Sequence, residues 1–541
     1  MYSPGVGELQ QTRRDSWLKA TSKRAQAIIT APNVLGVIAC AVLLFLLLVP
    51  PMPWDIRLPL YFAVLVCTIL RPRTALYLLP FAVPWGSLDY IDVSALRLNS
   101  ADLLVIFLAL GWLINCGLAP YTRLRDREAG HVPVYLILTT LALLGTMLLS
   151  MTVALNVKDS LKEISKWLEA LVILLLGSQY LHTRRQIWTI IVLVCIAGIT
   201  QAFFGYLQAS LNLGPASFVR SDILRVYGTF EQPNPFAAYI NLPLSITLAL
   251  ALLGRDWLTR TLAGIATIVL ATAEYLSQSR GAEIALAAAL AFIILAGMPG
   301  IRKFFRVVII ALLGFVEALL LGLVPQSLFN PALKFLGLAG ISLVEPTTQD
   351  FSTAERLAHW IAGLHMYFDH PILGVGIGNY PDAYPSYQIS TFVDPLGHAH
   401  NYYINIAAEM GTIGLVVYLL FIFAIFFAAM RILQRINKKY WRAKALPVSE
   451  QSPVQAPLGT RDKLSLLYRP FSLVRHYRRQ RPLETVGMLT NDRALAIGLI
   501  AALITVTVHN FVDEVYVHSL VSLITLLLIA LIRLERVTPD V

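Results

Sequence analysis

The sequence predicts an all-α, polytopic transmembrane helical bundle of about 12–14 spans with a long helical extracytoplasmic loop. Composition is the first reason. Of 541 residues, 57% are hydrophobic and only 14% charged, and the mean hydropathy is +0.66, far from soluble-domain averages. The second reason is length. Apolar runs of about 20 residues recur, enough for a helix to cross roughly 30 Å of hydrocarbon. The third is charge: lysine and arginine gather in alternate connections between those runs, as membrane orientation requires.

In order, the chain opens on a basic segment holding Arg13, Arg14, Lys19, Lys23 and Arg24. It has neither the short apolar core nor the small-residue site of a cleaved signal peptide. Spans are expected near 34–51, 57–71, 74–88, 101–119, 133–153, 165–181, 186–211, 235–253, 257–276, 281–298, 304–325, 407–430, 493–513 and 516–533. With the N-terminus in the cytoplasm, every second connection is basic: Arg71/Arg73, Arg123/Arg125/Arg127, Arg184/Arg185, Arg255/Arg260, Arg302/Lys303/Arg306, and Arg431 onward. Both termini are then cytoplasmic. Segments 86–100, 212–234, the 276–281 turn and the loop 326–406 lie outside. The net charge of +11 orients the protein in the bilayer and gives no sign of nucleic-acid binding. Cys40, Cys67, Cys116 and Cys195 fall inside apolar runs without metal spacing, which supports neither a disulfide frame nor a redox site.

These boundaries divide the chain into an N-terminal bundle (1–325), an extracytoplasmic loop (326–406), a single span (407–430), a basic linker (431–492) and a C-terminal hairpin (493–541). The linker carries Pro447, Pro453, Pro457 and the cluster Arg475/Arg478/Arg479/Arg481, a pattern suited to anionic lipid. No internal repeat is visible, which disfavours the commonest transporter architectures.

Chemistry concentrates on the outer side. Ser352-Thr-Ala-Glu355 has the pattern of a capping box, opening a helix that ends near Asp369-His370-Pro371. Arg356 sits in its first turn with Trp360 one turn on, where a cation opposes the helix dipole. It is either a solvated side chain, a partner of Asp350 or Glu355, or a group kept for a ligand. Arg280 stands at an outer junction, snorkelling to headgroups or facing a polar cavity bordered by the intramembrane Glu274 and Glu283. Glu317 is a further intramembrane acid that nothing locates. Gly374-Val-Gly-Ile-Gly378 lacks the spacing of a nucleotide loop and reads as a turn where backbone passes closely. His398 and His400 share a face only if extended. With a third ligand from His370, Asp394 or Glu409 they could hold a metal, but no spacing selects one. His400 is otherwise a general base or a hydrogen-bonded cap of the following span. His509 through Asp513 and Glu514 shape the same cavity or cap a helix.

Four strings together resemble the O-antigen ligase/O-antigen polymerase superfamily. They are Gly228-Thr-Phe-Glu-Gln-Pro-Asn-Pro-Phe-Ala-Ala238; Ser277-Gln-Ser-Arg-Gly281; Arg356-x3-Trp360 with Asp369-His-Pro-Ile-Leu-Gly-Val-Gly376; and His400-Asn401 running to Glu409-Met-Gly-Thr-Ile-Gly-Leu415. The resemblance implies glycan transfer from an undecaprenyl-pyrophosphate donor to a lipid, saccharide or protein acceptor. It places the site on the outer face of the cytoplasmic (inner) membrane and implies no metal, nucleotide or other cofactor. It assigns the donor pyrophosphate to Arg280 and Arg356, and the catalytic base to His400. Asn234, Trp360, His398, Asn401, Glu409 and Asp513 are expected to support them. Two more spans than the family is expected to have, and the 431–492 insertion, set this chain apart. A ligase, a polymerase using the same donor, and a small-solute or anion transporter remain as readings, with transfer preferred because the polar residues gather at the outer surface.

Overall fold

A computed structural model describes residues 52–88, 90–93, 96–122, 132–220, 223–300, 302–320, 342–343, 351–389, 391–445, 472–517 and 519–539, with scattered positions in 36–46. Most of the first expected span, the basic N-terminal segment, the 123–131 connection, most of 321–350 and residues 446–471 lie outside them.

The helices are Trp54–Leu70 (α1), Arg73–Trp85 (α2), Ser100–Thr122 (α3), Val134–Ser150 (α4), Val157–Tyr180 (α5), Arg184–Leu211 (α6), Pro233–Leu253 (α7), Trp257–Ser277 (α8), Arg280–Gly297 (α9), Arg302–Leu320 (α10), Phe351–Asp369 (α11), the single turn Tyr380–Ala383 (α12), Tyr402–Ala445 (α13), Ser472–His509 (α14) and Leu520–Val537 (α15). Two small antiparallel hairpins interrupt them: Tyr90–Val93 with Leu96–Asn99, and Val219–Arg220 with Ile223–Leu224. The fold is an all-α polytopic bundle. Among the described residues, 7 helices are long and apolar enough to cross a membrane: 100–117, 134–153, 184–211, 233–253, 280–297, 402–445 and 486–509.

Local signals place the ends. Thr183 and Gln186 form a capping box at the start of α6, and Asp256 accepts Thr259 N at 2.8 Å to begin α8. Pro233 opens α7, where its missing N–H costs nothing. Between α8 and α9 the chain turns through Gln278, left-handed at φ 51, and Ser279, so Arg280 begins a helix. Helix α7 is the central post, buried along most of its length and packed against α8, α14 and α9. α11 packs on α13, starting one residue before the expected cap Ser352 and ending, as expected, at Asp369.

α13 begins at Tyr402 and runs to Ala445, well beyond the 407–430 expected for that span, and α14 starts at Ser472. Of the 431–492 segment, only 446–471 is therefore undescribed. α13 is broken near its start by Gly411 (φ 63, ψ −163). The break frees the carbonyls of Ala408 and Glu409, which accept Val375 N at 2.9 Å and Gly376 N at 3.0 Å, while Thr412 N turns to Pro371 O at 2.8 Å. The Gly374–Gly378 turn is thus stitched to the helix. Gly374, Gly376 and Gly378 all have positive φ, and a Cβ on Gly376 would lie 2.5 Å from Ala154 Cα. Close backbone passage is what these glycines provide.

Candidate active site

The site forms where α11, the 398–401 segment, the 509–514 turn and the start of α9 meet. Asn510 O accepts Tyr402 N at 2.8 Å, tying the two loops together. Trp360, one turn after Arg356, donates Nε1–H to His400 O at 3.1 Å, which brings α11 against the same segment. His400 is held left-handed at φ 52. That conformation is sparsely populated for a residue with a side chain and persists only where its surroundings enforce it.

His398 and His400 lie in neither helix nor strand, yet both rings turn onto one carboxylate. Asp513 Oδ1 is 3.0 Å from His398 Nε2 and 3.3 Å from His400 Nδ1. It also accepts Glu514 N at 2.9 Å, and Asp513 Oδ2 accepts Asn234 Nδ2–H at 2.5 Å. Burial works against the Asp513 anion, but the two histidines outweigh it and hold its carboxyl well below the usual range. Asp513 is therefore an acceptor only, and both imidazole nitrogens facing it carry protons. For neutral His400 this leaves Nε2 as the basic nitrogen; it is buried and has no hydrogen-bond partner among the described residues.

Electrostatics separate the two histidines. Burial lowers the pKa of His400, and the charges of His398 and Arg356 lower it further, against the pull of Asp513. Burial also opposes charge on His398, but its hydrogen bond to Asp513 and the charge of Glu514, whose Oε2 lies 3.9 Å from Nδ1, prevail and raise it. Of the two, His398 is thus favoured as the imidazolium and His400 as the neutral imidazole.

Arg356 is close enough to act electrostatically on both His400 and His509, and its Nε is buried without a hydrogen-bond partner among the described residues. The helix that Arg280 opens meets the same neighbourhood at Gly281, whose missing side chain lets α9 touch the turn, whereas the Arg280 side chain is exposed. A Cβ there would sit 2.5 Å from Val512 Cγ2 and 3.1 Å from the His509 ring. Arg356 acts on His509 from α11, while α9 meets His509 through the backbone at Gly281. Buried polar atoms without a hydrogen-bond partner among the described residues gather here: Arg356 Nε, His359 Nε2, His400 Nε2, His509 Nδ1 and Asn510 Nδ2. Such groups ordinarily find partners, so the cluster has the character of a ligand site.

Other expected residues take different places. Asn401 caps α13, its Oδ1 accepting Tyr403 N at 3.0 Å and Ile404 N at 3.1 Å. Glu409 lies two turns further on and accepts Tyr380 N at 3.0 Å, which fastens the 374–380 segment. Glu274 is buried, whereas Glu283 and Glu317 are exposed. His398, His400 and Asp513 form a group whose ligand atoms lie within 4.8 Å of one another. The third member is Asp513, not His370, Asp394 or Glu409. The same atoms satisfy one another by hydrogen bonds, and the charge of Arg356 opposes a dication there.

Two residues were not singled out from sequence. His359, one turn from Arg356, is fully buried, stacks on Tyr384 with centroids 4.5 Å apart, and meets His400 edge-on at 5.6 Å. Burial, with help from His400 and His398, pulls its pKa down to about 4. Its i,i+3 spacing from Arg356 was a readable sign of a shared face. Arg225, bonded to Asn234, carried no such sign. A cavity of about 680 Å³ lined by Val153, Leu155, His370, Ile372, Ser386 and Tyr387 lies elsewhere and shares none of the residues around His400.

Fold and site define a multi-pass membrane protein that gathers histidines, a buried carboxylate and Arg356 where several of its helices end. Residues 265–419, less than half of the chain, match the O-antigen ligase family, and the match supports an O-antigen ligase-like membrane enzyme. The match spans Arg280, Arg356, Trp360, His398, His400, Asn401 and Glu409, and leaves Asn234 and Asp513 outside it. No curated protein matches the chain.

Proposed function

We propose that the chain transfers a glycan from undecaprenyl pyrophosphate to an acceptor hydroxyl at the outer face of the cytoplasmic membrane, with both termini inside. One observation carries this reading: His400 presents a buried, unpartnered Nε2 beside Arg356 while Asp513 holds its other nitrogen. His400 Nε2 takes the proton of the acceptor hydroxyl as its oxygen bonds to the anomeric carbon. The bond from that carbon to the pyrophosphate oxygen breaks, and undecaprenyl pyrophosphate leaves with the electron pair. Arg280 and Arg356 receive the developing charge as permanently charged donors. Attack and departure on opposite faces invert the anomeric centre. His398, charged against Asp513, keeps the carboxylate ionised and oriented. No step calls for a metal.

Ligase and polymerase share this chemistry and differ in acceptor. Glycolipid analysis after deletion of the protein separates them: polymer left on its carrier supports the ligase, and single repeat units support the polymerase. Unchanged glycolipids would overturn transfer.

A further inference from the structure

We infer that Arg225, acting through Asn234, is a positioning residue that ties the carboxylate behind the base to the turn that carries Arg280. The inference rests on His400 being the base.

Arg225 Nε donates to Ser277 O at 2.9 Å, the last residue of α8, and Nη2 donates to Asn234 Oδ1 at 3.1 Å. Asn234 Nδ2 in turn donates to Asp513 Oδ2 at 2.5 Å. A guanidinium only donates and a carboxylate only accepts, so the group between them must accept on one side and donate on the other. A neutral amide does this without adding charge. An aspartate there would repel Asp513, and an aliphatic residue would break the chain of bonds.

The support is rigid on both sides. Val226 N bonds Leu276 O at 3.1 Å, so Arg225 is pinned against the end of α8. Gln208 Nε2 donates to Gly228 O at 2.7 Å, and its Oε1 accepts Gly228 N at 2.9 Å. Asn234 itself stands between Pro233 and Pro235 in the first turn of α7. One guanidinium thereby sets the distance between the Ser277–Arg280 turn and the Asp513 carboxylate.

The consequence falls on the base. With Oδ2 committed to Asn234, Oδ1 is left for His398 and His400. The ionisable groups facing His400 are Asp513 and His398 from the loops, and His359 and Arg356 from α11, with Glu514 behind His398. Donation from Asn234 stabilises the Asp513 anion and weakens its hold on an imidazolium. Losing that donation makes His400 keep its proton at higher pH, in the direction opposite to its present shift.

The test uses the full-length protein with ¹³C-labelled histidine, titrated by NMR, the His400 signal being assigned by its loss in His400→Gln. Asn234→Leu and Arg225→Lys should each raise the His400 midpoint by about one pH unit, the equivalent of one hydrogen bond to a charged group. The double variant should shift no further, because both act along one path. Asn234→Gln should restore the midpoint. Release of undecaprenyl pyrophosphate from a synthetic undecaprenyl-pyrophosphate oligosaccharide is followed in parallel, and its acid limb should move with the midpoint. Arg225→Lys alone should also raise the donor KM, since lysine cannot span Ser277 and Asn234. An unmoved midpoint in folded variants, or additive shifts, overturns the inference. Shifted midpoints in a protein that never turns over the donor uphold the positioning and overturn the transfer reading instead.

Discussion

One nitrogen of His400, the proposed base, is buried without a hydrogen-bond partner among the described residues. Asp513 secures Nδ1 and leaves Nε2 for an acceptor, so His400→Ala should lower donor turnover by about 10²–10⁴-fold, with folding intact by thermal melting. His398→Ala should cost less, because His398 acts only through Asp513; equal losses would refute the division of roles. The sign of the pH dependence follows from the depressed pKa. His400 must be neutral to act, so turnover should stay full at neutral pH and fall only with a midpoint below the ordinary imidazole value of about 6.5. An acid limb centred above that value would contradict it. Arg280→Lys and Arg356→Lys should each reduce turnover by about tenfold or more, since a point charge does not reproduce bidentate contact with phosphate oxygens. EDTA should leave the wild-type rate unchanged, and zinc-reversible inhibition by EDTA would refute the metal-free chemistry.

At the scale of elements, glycine decides which helices meet the site. Gly281 lets α9 touch His509 and Val512, so Gly281→Leu should push Arg280 away and depress turnover more than thermal stability. Gly376, at φ 104 and against Ala154, holds the segment leading to Tyr380 and α12. Gly376→Ala should destabilise the protein by about 1–3 kcal/mol, seen as a lower melting temperature; an unchanged melting point would mean the turn readily adopts another path. α11 was legible beforehand from its capping pattern and its proline stop, although it begins at Phe351 rather than after Ser352. The break at Gly411 was not legible, because a glycine in an apolar run reads as continuous helix until the Pro371 and Gly376 backbones are seen bonding into the gap.

For the molecule as a whole, the alternation of basic connections is what the proposed orientation rests on. Single cysteines placed at Ser386 should react with a membrane-impermeant thiol reagent from outside, and cysteines at Arg260 only after the membrane is opened; the reverse pattern would invert the topology. Composition and hydrophobic run length alone determined the helical class and the membrane solvent, because a span must satisfy its backbone internally whatever its neighbours. Motif order alone suggested that Arg280, Arg356 and His400 belong together. Only the tertiary structure made Asp513 the partner of His400 Nδ1 across 113 positions, tied Glu409 to the Tyr380 backbone, and brought His359 and Arg225 into the network. Hydrophobic periodicity is a local property written in adjacent residues. A hydrogen bond between a loop at 400 and a turn at 513 depends on how the intervening helices pack, and one rotation of α13 or α14 would leave the same sequence without it.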